Sequence, residues 1–155
     1  MSPRSEPNAL LSELRRALAD SPYYRWTGIT LVDAEPGNVT AEIALDQRHV
    51  NLQGLAHGGV IATIGDIAMG LAIRTMVGPD RSHLTIEIGV HYLRPAPPGA
   101  LRSNGRAVRV GTRIAYAEAD ISDAEGRLVA RATGSYFVGS QARSADPQEP
   151  DPVDA

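Results

Sequence analysis

The first third of the chain changes from a helical spacing of apolar residues to an alternating one. Residues 8–19 place their leucines on one helical stripe, formed by Leu10, Leu11, Leu14 and Leu18. The dipeptide Ser21-Pro22 is expected to end this amphipathic helix. Residues 28–34 and 39–45 then alternate apolar and polar positions, as half-buried strands do. The pattern therefore predicts a short helix followed by a β-hairpin.

A long apolar segment follows at residues 58–77. Its apolar residues cover most of a helical circumference, and Asp66 and Arg74 are its only charged residues. The segment is too long for one strand, and no turn signal divides it into two strands. It is therefore predicted as one helix that is buried on nearly all sides and ended by Gly78 and Pro79.

The rest of the chain has the alternation of four strands separated by turns. These strands are predicted at residues 84–92, 101–110, 113–121 and 128–138. In this order they would form a four-strand antiparallel meander. One buried helix followed by long antiparallel strands indicates an α+β fold in which a single sheet curls around the helix.

The length of 155 residues suits one domain with two terminal extensions. Residues 1–24 are interpreted as the amphipathic helix and a linker, and residues 25–138 as the domain. Residues 139–155 are rich in Pro, Asp and Ser, so we expect a disordered acidic tail there. The tail accounts for the whole net charge of −3, because residues 1–138 contain 14 arginines and 14 acidic residues.

Composition excludes several classes of chemistry. The chain has no cysteine, which excludes disulfides, thiolate metal sites and cysteine nucleophiles. All 15 basic residues are arginine, and the neutral domain carries no motif for nucleic acid. The N-terminus lacks the apolar stretch of a secretory signal, and no apolar run is expected to approach the roughly 20 residues that span a bilayer. We therefore expect a cytoplasmic protein that binds neither nucleic acid nor membrane.

Asp66 is the first candidate for chemistry. It lies in the middle of a helix that is otherwise built for burial, where an aspartate costs both helix propensity and desolvation. Such a residue is either a structural partner of an arginine or a loop, or a functional carboxylate. The burial pattern alone leaves these two interpretations open.

The start of the same helix is the second candidate. His57 precedes Gly58 and Gly59, whose backbone N–H groups carry no side-chain cover at the helix N-terminus. Such a terminus stabilises negative charge, including the oxyanion that grows from a carbonyl. Asp66 follows His57 by nine positions, roughly 13 Å along a helix axis. One chain cannot bring both groups to one carbonyl, so the spacing points to a composite site in a dimer.

Residues 51–59 and Asp66 together resemble a known family. The run Asn51-Leu52-Gln53-Gly54-Leu55-Ala56-His57-Gly58-Gly59, followed by the aspartate, is similar to that of the hotdog-fold thioesterases. The most similar group is the phenylacetate-pathway (PaaI-like) type, related to human acyl-CoA thioesterases. The resemblance covers residues 25–138 and implies a hotdog fold. It also implies hydrolysis of an acyl-CoA thioester to a free acid and CoA, without a metal or redox cofactor.

The resemblance implies roles residue by residue. Asp66 would be the catalytic carboxylate, as general base or as nucleophile, and the Gly58 N–H would polarise the thioester carbonyl. Asn51 would position the carbonyl or the attacking water, and Thr85 would orient that water from the strand after the helix. In the family, the aspartate and the hydroxyl residue come from one subunit, and the asparagine and glycine come from its partner. A homodimer with shared sites is thus implied, and its association into a homotetramer is common in the family.

The histidines are open to simpler interpretations. His57 shapes the helix start through local hydrogen bonds, or it takes part in acid–base chemistry, for which imidazole is suited. The other histidines show no metal-ligand spacing and are expected in loops or on strand surfaces, at His49, His83 and His91. No metal site is predicted.

A further set of residues would contact the substrate. Gln53 lies in the catalytic loop and Gly59 at the helix start, so both are candidates. Arginine binds the phosphates of CoA well, and the candidates near strand ends are Arg81, Arg94, Arg106, Arg109 and Arg113. The acyl group would need an apolar pocket, for which Trp26, Met69 and Ile73 are candidates that would serve equally as core.

Two other functions remain open on the sequence alone. A hotdog hydratase or dehydratase would act on similar acyl thioesters, but it generally pairs a histidine with an acid in different motifs. A catalytically silent protein would bind acyl-CoA without turnover. Hotdog regulators that bind DNA carry an added helix-turn-helix, whereas residues 1–24 hold one short helix pattern.

Overall fold

A computed structural model describes residues 9–140, which form three helices and six strands. The helices are α1 (Ala9–Leu18), α2 (Pro22–Thr27) and α3 (Gly58–Val77). The strands are β1 (Thr30–Glu35), β2 (Asn38–Ala44), β3 (His83–Tyr92), β4 (Ala100–Val110), β5 (Ile114–Ser122) and β6 (Leu128–Val138). The α+β class and the long helix at residues 58–77 are as predicted.

The six strands of this range form one antiparallel sheet in the order β1-β2-β4-β5-β6-β3. The predicted hairpin is present as β1 and β2. The predicted four-strand meander is wrong, because only β4, β5 and β6 follow one another as neighbours. β3 lies at the far edge of the sheet beside β6, and β4 pairs with β2. α3 contacts every strand, so the sheet curls around it.

The segment between β3 and β4 explains this crossover. It contains Pro95, Pro97 and Pro98, which fix φ and remove backbone donors, so it does not form a tight hairpin turn. Instead it passes beside the residues that precede α3. The carbonyl of Ala96 accepts the N–H of Ala56 at 2.9 Å, and Ala96 is buried. The alternation of apolar residues cannot distinguish such a crossover from a long hairpin loop.

α3 is the centre of the core. Half of its 20 residues are buried, and Ile64 and Ala68 are fully enclosed. The sheet approaches α3 closely at Gly105 of β4, where an added Cβ would lie 2.3 Å from the carbonyl oxygen of Ala68. By length and composition α3 could also cross a membrane, so the expectation that no apolar run is long enough is wrong. Its burial against the sheet is that of a core helix.

The two short helices pack beside this core. α1 buries Leu11 and Leu14, and the guanidinium of Arg15 donates to the carbonyl of Leu31 in β1 at 2.7 Å. The sequence pattern misses α2, because Ser21-Pro22 is compatible with the end of one helix and with the start of another. Proline suits the first turn of α2, where its missing N–H leaves no bond unmade.

The domain extends one residue beyond its predicted end. Gly139 is buried, its N–H donates to the carbonyl of Ser82 at 2.9 Å, and its carbonyl accepts from Arg81 Nε at 2.9 Å. These bonds fix the end of β6 against the start of β3. The remainder of the predicted disordered tail, from residue 141 onward, lies outside the described residues, as do residues 1–8.

Candidate active site

Two hydroxyl groups hold one carboxylate oxygen of Asp66. Thr85 of β3 donates to Asp66 Oδ1 at 3.0 Å, and Tyr136 of β6 donates to the same oxygen at 2.9 Å. The second oxygen, Oδ2, has no hydrogen-bond partner among residues 9–140. Asp66 also forms no ion pair in this range, which disfavours a role as the partner of an arginine. The protein thus orients a half-buried carboxylate and leaves one oxygen open.

Tyr136 reaches Asp66 through a slot between α3 and the sheet. Gly134 makes room for its ring, because an added Cβ there would lie 2.9 Å from a ring carbon, whereas an added Cβ at Gly70 would make an ordinary contact at 3.6 Å. Burial, followed by the charge of Asp66, raises the pKa of the Tyr136 hydroxyl above its ordinary range. Tyr136 therefore stays protonated and keeps donating to Asp66 at neutral pH.

Tyr136 is absent from the residues that the sequence singles out. Its strand alternates as a half-buried strand does, so the tyrosine is indistinguishable from a core residue in that pattern. The available signal is chemical: a tyrosine on the buried face of a strand needs a partner for its hydroxyl. Asp66, itself a polar residue in an apolar helix, is that partner.

The start of α3 leaves one backbone N–H open. His57 caps the helix, since its Nδ1 accepts the N–H of Gly59 at 2.9 Å and its carbonyl accepts those of Val60 and Ile61. Of the first four N–H groups of α3, only that of Gly58 has no acceptor within the described part of the chain. His57 thus has the local role considered above. Gly58, rather than Gly59, is left to receive a carbonyl oxygen at the positive end of the helix dipole.

Asn51 shapes the loop before α3. Its Oδ1 accepts the N–H of Gln53 at 3.0 Å and that of Leu55 at 3.1 Å. The side-chain oxygen is therefore occupied by the loop itself. The amide nitrogen is the end of Asn51 that remains available to a ligand. Gln53 is exposed, so its side chain is free to approach a substrate from solvent.

Gly58 and Asp66 of one chain are too far apart to act on the same carbonyl. They lie eight positions apart on the helix, about 12 Å along its axis. β3 runs past both residues. Thr85, near its start, contacts Asp66, and the hydroxyl of Tyr92, at its end, donates to the carbonyl of Gly58 at 2.8 Å. The two halves of the candidate site thus lie near opposite ends of β3.

His49 lies in the loop before α3, as predicted, and it is buried there. Its side chain is 2% exposed, and its Nδ1 accepts the N–H of Asp46 at 3.0 Å. Its Nε2 lies 2.9 Å from the carbonyl of Thr27, which places the proton on Nε2. The backbone carbonyl of His49 also accepts the N–H of His57 at 2.8 Å. His49 therefore joins α2, the loop and the start of α3.

His83 is the first residue of β3, but its ring faces α3 and is half-buried, which differs from the predicted position on a strand surface. Its ring lies 3.5 Å from where a Cβ of Gly70 would stand. Burial and the charge of Arg74 lower the pKa of His83, and the charge of Asp66 partly opposes this shift. His91, by contrast, is exposed as predicted. The described residues contain no cluster of three or more potential metal ligands.

The predicted arginine contacts divide into two groups. Arg81 donates to the carbonyls of Thr112 and Gly139 at 2.6 and 2.9 Å, so its guanidinium is engaged within the fold. Arg109 is exposed and forms no ion pair among residues 9–140. Among the other candidates, Arg106 pairs with Glu118 and Arg113 stacks on Phe137, whereas Arg94 is exposed.

The predicted acyl-pocket residues differ in burial. Met69 and Ile73 are fully buried in the core, and of the three candidates Trp26 alone is exposed.

Comparison with known proteins bears on this site. A family model described as the thioesterase superfamily matches residues 53–130, half of the chain, and this range includes His57, Gly58, Asp66 and Thr85. The chain belongs to the thioesterase superfamily. The hotdog fold is confirmed by this membership and by a solved thioesterase of Haemophilus influenzae, with a TM-score of 0.79 at 20% identity over 87% of this chain and 94% of that one.

Relatives carry esterase and thioesterase names. A protein of Halobacterium salinarum, named only provisionally as an esterase, is 37% identical over 72% of this chain and 80% of its own length. Human acyl-coenzyme A thioesterase 13 is 28% identical over 72% of this chain and 81% of its own. A variant of the phenylacetic acid degradation protein PaaI of Thermus thermophilus has a TM-score of 0.69 at 28% identity, over 76% of this chain and 98% of that one. The resemblance to the PaaI-like group is confirmed, and the membership supports a thioester hydrolase.

Proposed function

We propose that the protein hydrolyses acyl-CoA thioesters to a free carboxylic acid and CoA. Asp66 acts as the general base, and Thr85 orients the attacking water. The Gly58 N–H receives the carbonyl oxygen, and Asn51 holds the carbonyl through its amide nitrogen. The observation that carries this proposal is the carboxylate of Asp66, with Oδ1 fixed by two hydroxyls and Oδ2 open.

The reaction needs two proton transfers, one from water to Asp66 and one from Asp66 to the CoA thiolate. Asp66 Oδ2 removes a proton from water while the water oxygen attacks the carbonyl carbon of the thioester. The charge that grows on the carbonyl oxygen is stabilised by the Gly58 N–H and the α3 dipole. The tetrahedral intermediate then breaks its C–S bond, and the CoA thiolate takes the proton from Asp66. Thr85 suits its role because its hydrogen is donated to Asp66, which leaves its oxygen to accept a hydrogen from the water.

A nucleophilic Asp66 is the alternative route. Its Oδ2 would attack the thioester, expel the CoA thiolate and form a mixed anhydride that water then hydrolyses. A single turnover in oxygen-18 water, with enzyme in excess over substrate, distinguishes general-base attack from a nucleophilic route in which water attacks the Asp66 carbonyl carbon of the anhydride. We expect the label in the released acid only. Label in Asp66, detected by mass spectrometry of its peptide, would identify the nucleophilic route.

The smallest active unit in this proposal is a homodimer with two shared sites. β3 pairs with β6 on one side and, within the described residues, with no strand on the other. Leu84 and Ile86 of β3 are 61% and 57% exposed. Antiparallel pairing of two β3 strands about a two-fold axis would bring Thr85 and Asp66 of one subunit beside the partner subunit's Gly58. Association of two such dimers into a homotetramer is part of the same proposal.

The test is the release of free thiol from short, medium, long and aryl-acyl CoA esters. Asp66→Asn keeps the size of the side chain, and we expect it to lower kcat about 100-fold or more. Asp80→Asn, which removes an exposed carboxylate in the turn after α3, is the matched control and should keep wild-type turnover. Circular dichroism and melting temperatures verify that both variants fold.

Thiol release, compared with measurements of acyl-CoA binding and of enoyl-CoA hydration, separates the other functions considered above. Saturable binding of an acyl-CoA by the wild-type protein without thiol release would favour a non-catalytic binding protein. Hydration of an enoyl-CoA without thiol release would favour a hydratase. Thiol release that Asp66→Asn leaves intact would contradict the role assigned to the carboxylate.

A further inference from the structure

A cavity of about 320 Å³ lies between α2 and the start of α3. Its lining is mainly apolar and aromatic, with contributions from Tyr23, Trp26, Ile29, Ile43, Val60 and Thr63. The α2–α3 cavity, as we call it, is also lined by the residues immediately before and after Gly58. It therefore lies beside the N–H group that is proposed to hold the thioester carbonyl.

Two aromatic side chains of α2 form the outer wall of this cavity. Tyr23 and Trp26 are 48% and 59% exposed, and their ring centroids are 6.4 Å apart with 32° between the ring planes. Aromatic side chains that are left half-exposed at a cavity are typical of a ligand-binding wall. The hydroxyl of Tyr23 lies 3.2 Å from that of Thr63 in α3, which places a hydroxyl pair in the same wall.

This wall is fastened to the loop that precedes α3. His49 Nε2 donates to the carbonyl of Thr27 at 2.9 Å, and Arg48 donates to the carbonyl of Trp26. Arg48 is also paired with Asp46, so its charge in the cavity lining is already compensated. The α2–α3 cavity is thus preformed and has no unpaired charge from Arg48 that would repel an apolar group.

We propose that the α2–α3 cavity binds the acyl group of the thioester and restricts the enzyme to compact acyl groups. The proposal rests on the proposed function and makes Tyr23, Trp26 and Val60 specificity-determining residues. An apolar cavity of about 150 Å³ holds benzene. A volume of about 320 Å³ therefore accommodates one ring with its linking carbons, or a short chain of similar size, and excludes a long fatty chain. The Tyr23–Thr63 hydroxyl pair favours an acyl group that carries a hydrogen-bonding substituent.

Trp26 allows a test that does not depend on turnover. It is the only tryptophan of the chain, so tryptophan fluorescence reports on the α2–α3 cavity. In the Asp66→Asn variant, we expect benzoyl-CoA and hexanoyl-CoA to change this fluorescence saturably and CoA alone to leave it unchanged. An equal change with CoA alone, or no change with either ester, would overturn the proposal.

Filling the cavity should remove this binding. Val60→Phe, in the Asp66→Asn background, is expected to weaken benzoyl-CoA binding about tenfold or more, because the larger ring occupies the acyl position. Val108→Phe makes the same substitution at an exposed position of β4 and is the matched control. Equal affinities in the two variants would place the acyl group elsewhere.

The wild-type enzyme and two variants give the kinetic test. We expect wild-type kcat/KM to be higher for benzoyl-CoA than for palmitoyl-CoA, and Trp26→Ala to narrow that ratio about tenfold by opening the outer wall. Tyr23→Phe should lower kcat/KM for 4-hydroxybenzoyl-CoA about fivefold relative to benzoyl-CoA, since one hydrogen bond is lost. Tyr116→Phe, on an exposed tyrosine of β5, should change neither ratio. A chain-length profile that Trp26→Ala leaves unchanged would contradict the assigned site.

The failures of the two proposals are distinguishable. Saturable fluorescence changes with compact esters, together with no thiol release by the wild-type protein, would remove the thioesterase proposal and keep the acyl site. If the protein releases thiol but neither Val60→Phe nor Trp26→Ala changes how kcat/KM depends on acyl-chain length, the proposed acyl site is wrong and the thioesterase proposal stands.

Discussion

Thr85 and Ile88 of β3 face the same side of the sheet, although they lie three positions apart. Thr85 contacts Asp66 of α3, and Ile88 packs against the core. In a regular strand, residues three apart face opposite sides. A β-bulge between Thr85 and Glu87 adds one residue opposite β6 and resets the alternation. The bulge thus turns the hydroxyl of Thr85 towards the carboxylate.

Removing the hydroxyl of Thr85 should slow the reaction without weakening substrate binding. We expect Thr85→Val to lower kcat about tenfold, because a hydrogen bond to a charged group contributes about 1.5–3 kcal/mol, and to leave KM close to the wild-type value. Thr85→Ser keeps the hydroxyl and should retain most of the activity. Steady-state thiol release measures both variants. A serine variant as slow as the valine variant would show that the hydroxyl is not the important feature.

Tyr136 is a positioning residue, because it acts through Asp66. Tyr136→Phe removes the second donor to Oδ1, and we expect kcat to fall about tenfold with KM unchanged. In the double variant with Thr85→Val the two losses should not multiply, since both donors bind the same oxygen. Kinetics of the single and double variants, with Tyr116→Phe as the control, provide the cycle. Independent losses would contradict a shared anchoring of the carboxylate.

The sequence predicts the elements that have a periodic spacing of apolar residues, and it also predicts a residue that interrupts such a spacing. The apolar run from Gly58 to Val77 specifies α3, and Asp66 stands out because nothing local in that run accounts for a charge. Period-two alternation likewise locates the strands to within a few residues. These features need only the physics of one element, so no knowledge of distant contacts is required.

The features that the sequence leaves out depend on distant partners. Tyr136 donates to a residue 70 positions away, and His49 binds a carbonyl 22 positions away, so both look ordinary in their own segments. The bulge in β3 cannot be predicted from the sequence either, because the apolar residues from Leu84 to Ile88 occupy every second position, as in a regular strand. The position of β3 beside β6 follows from a proline-rich crossover whose path is set by contacts with the start of α3.

Gly105 is required where the backbone of α3 meets the sheet. An added Cβ would lie 2.3 Å from the backbone of Ala68, so Gly105→Ala forces the helix away from the sheet. We expect the free energy of unfolding to fall by about 3 kcal/mol or more. In Gly89→Ala the new Cβ would meet only the Thr133 hydroxyl, at 3.5 Å, so a loss below about 1 kcal/mol is expected from this control. Urea unfolding measures both, and equal losses would contradict the close approach.

His83 should make stability fall as the pH drops below about 6.5. Its pKa is lowered in the folded protein, so the unfolded chain binds a proton more readily as the pH falls through the ordinary value of about 6.5. The stabilisation from neutral His83 is therefore present above that value and lost below it. His83→Gln should reduce the slope of unfolding free energy against pH, whereas His91→Gln, on an exposed histidine, should not. An identical slope in His83→Gln and the wild type would contradict this assignment. Asp46 and Asp123, whose pKa values are also lowered, act at lower pH.

Subunit complementation tests the shared site directly. In a dimer with composite sites, pairing an Asp66→Asn subunit with an Asn51→Ala subunit concentrates both changes in one site and leaves the other intact. Random reassortment makes half of the dimers mixed, so two variants that are inactive alone should recover roughly a quarter of wild-type activity. Thiol release is measured after the variants are unfolded and refolded together, with each refolded alone as the control. If native mass spectrometry detects mixed dimers while activity stays at the control level, one chain supplies both groups and the shared site is wrong.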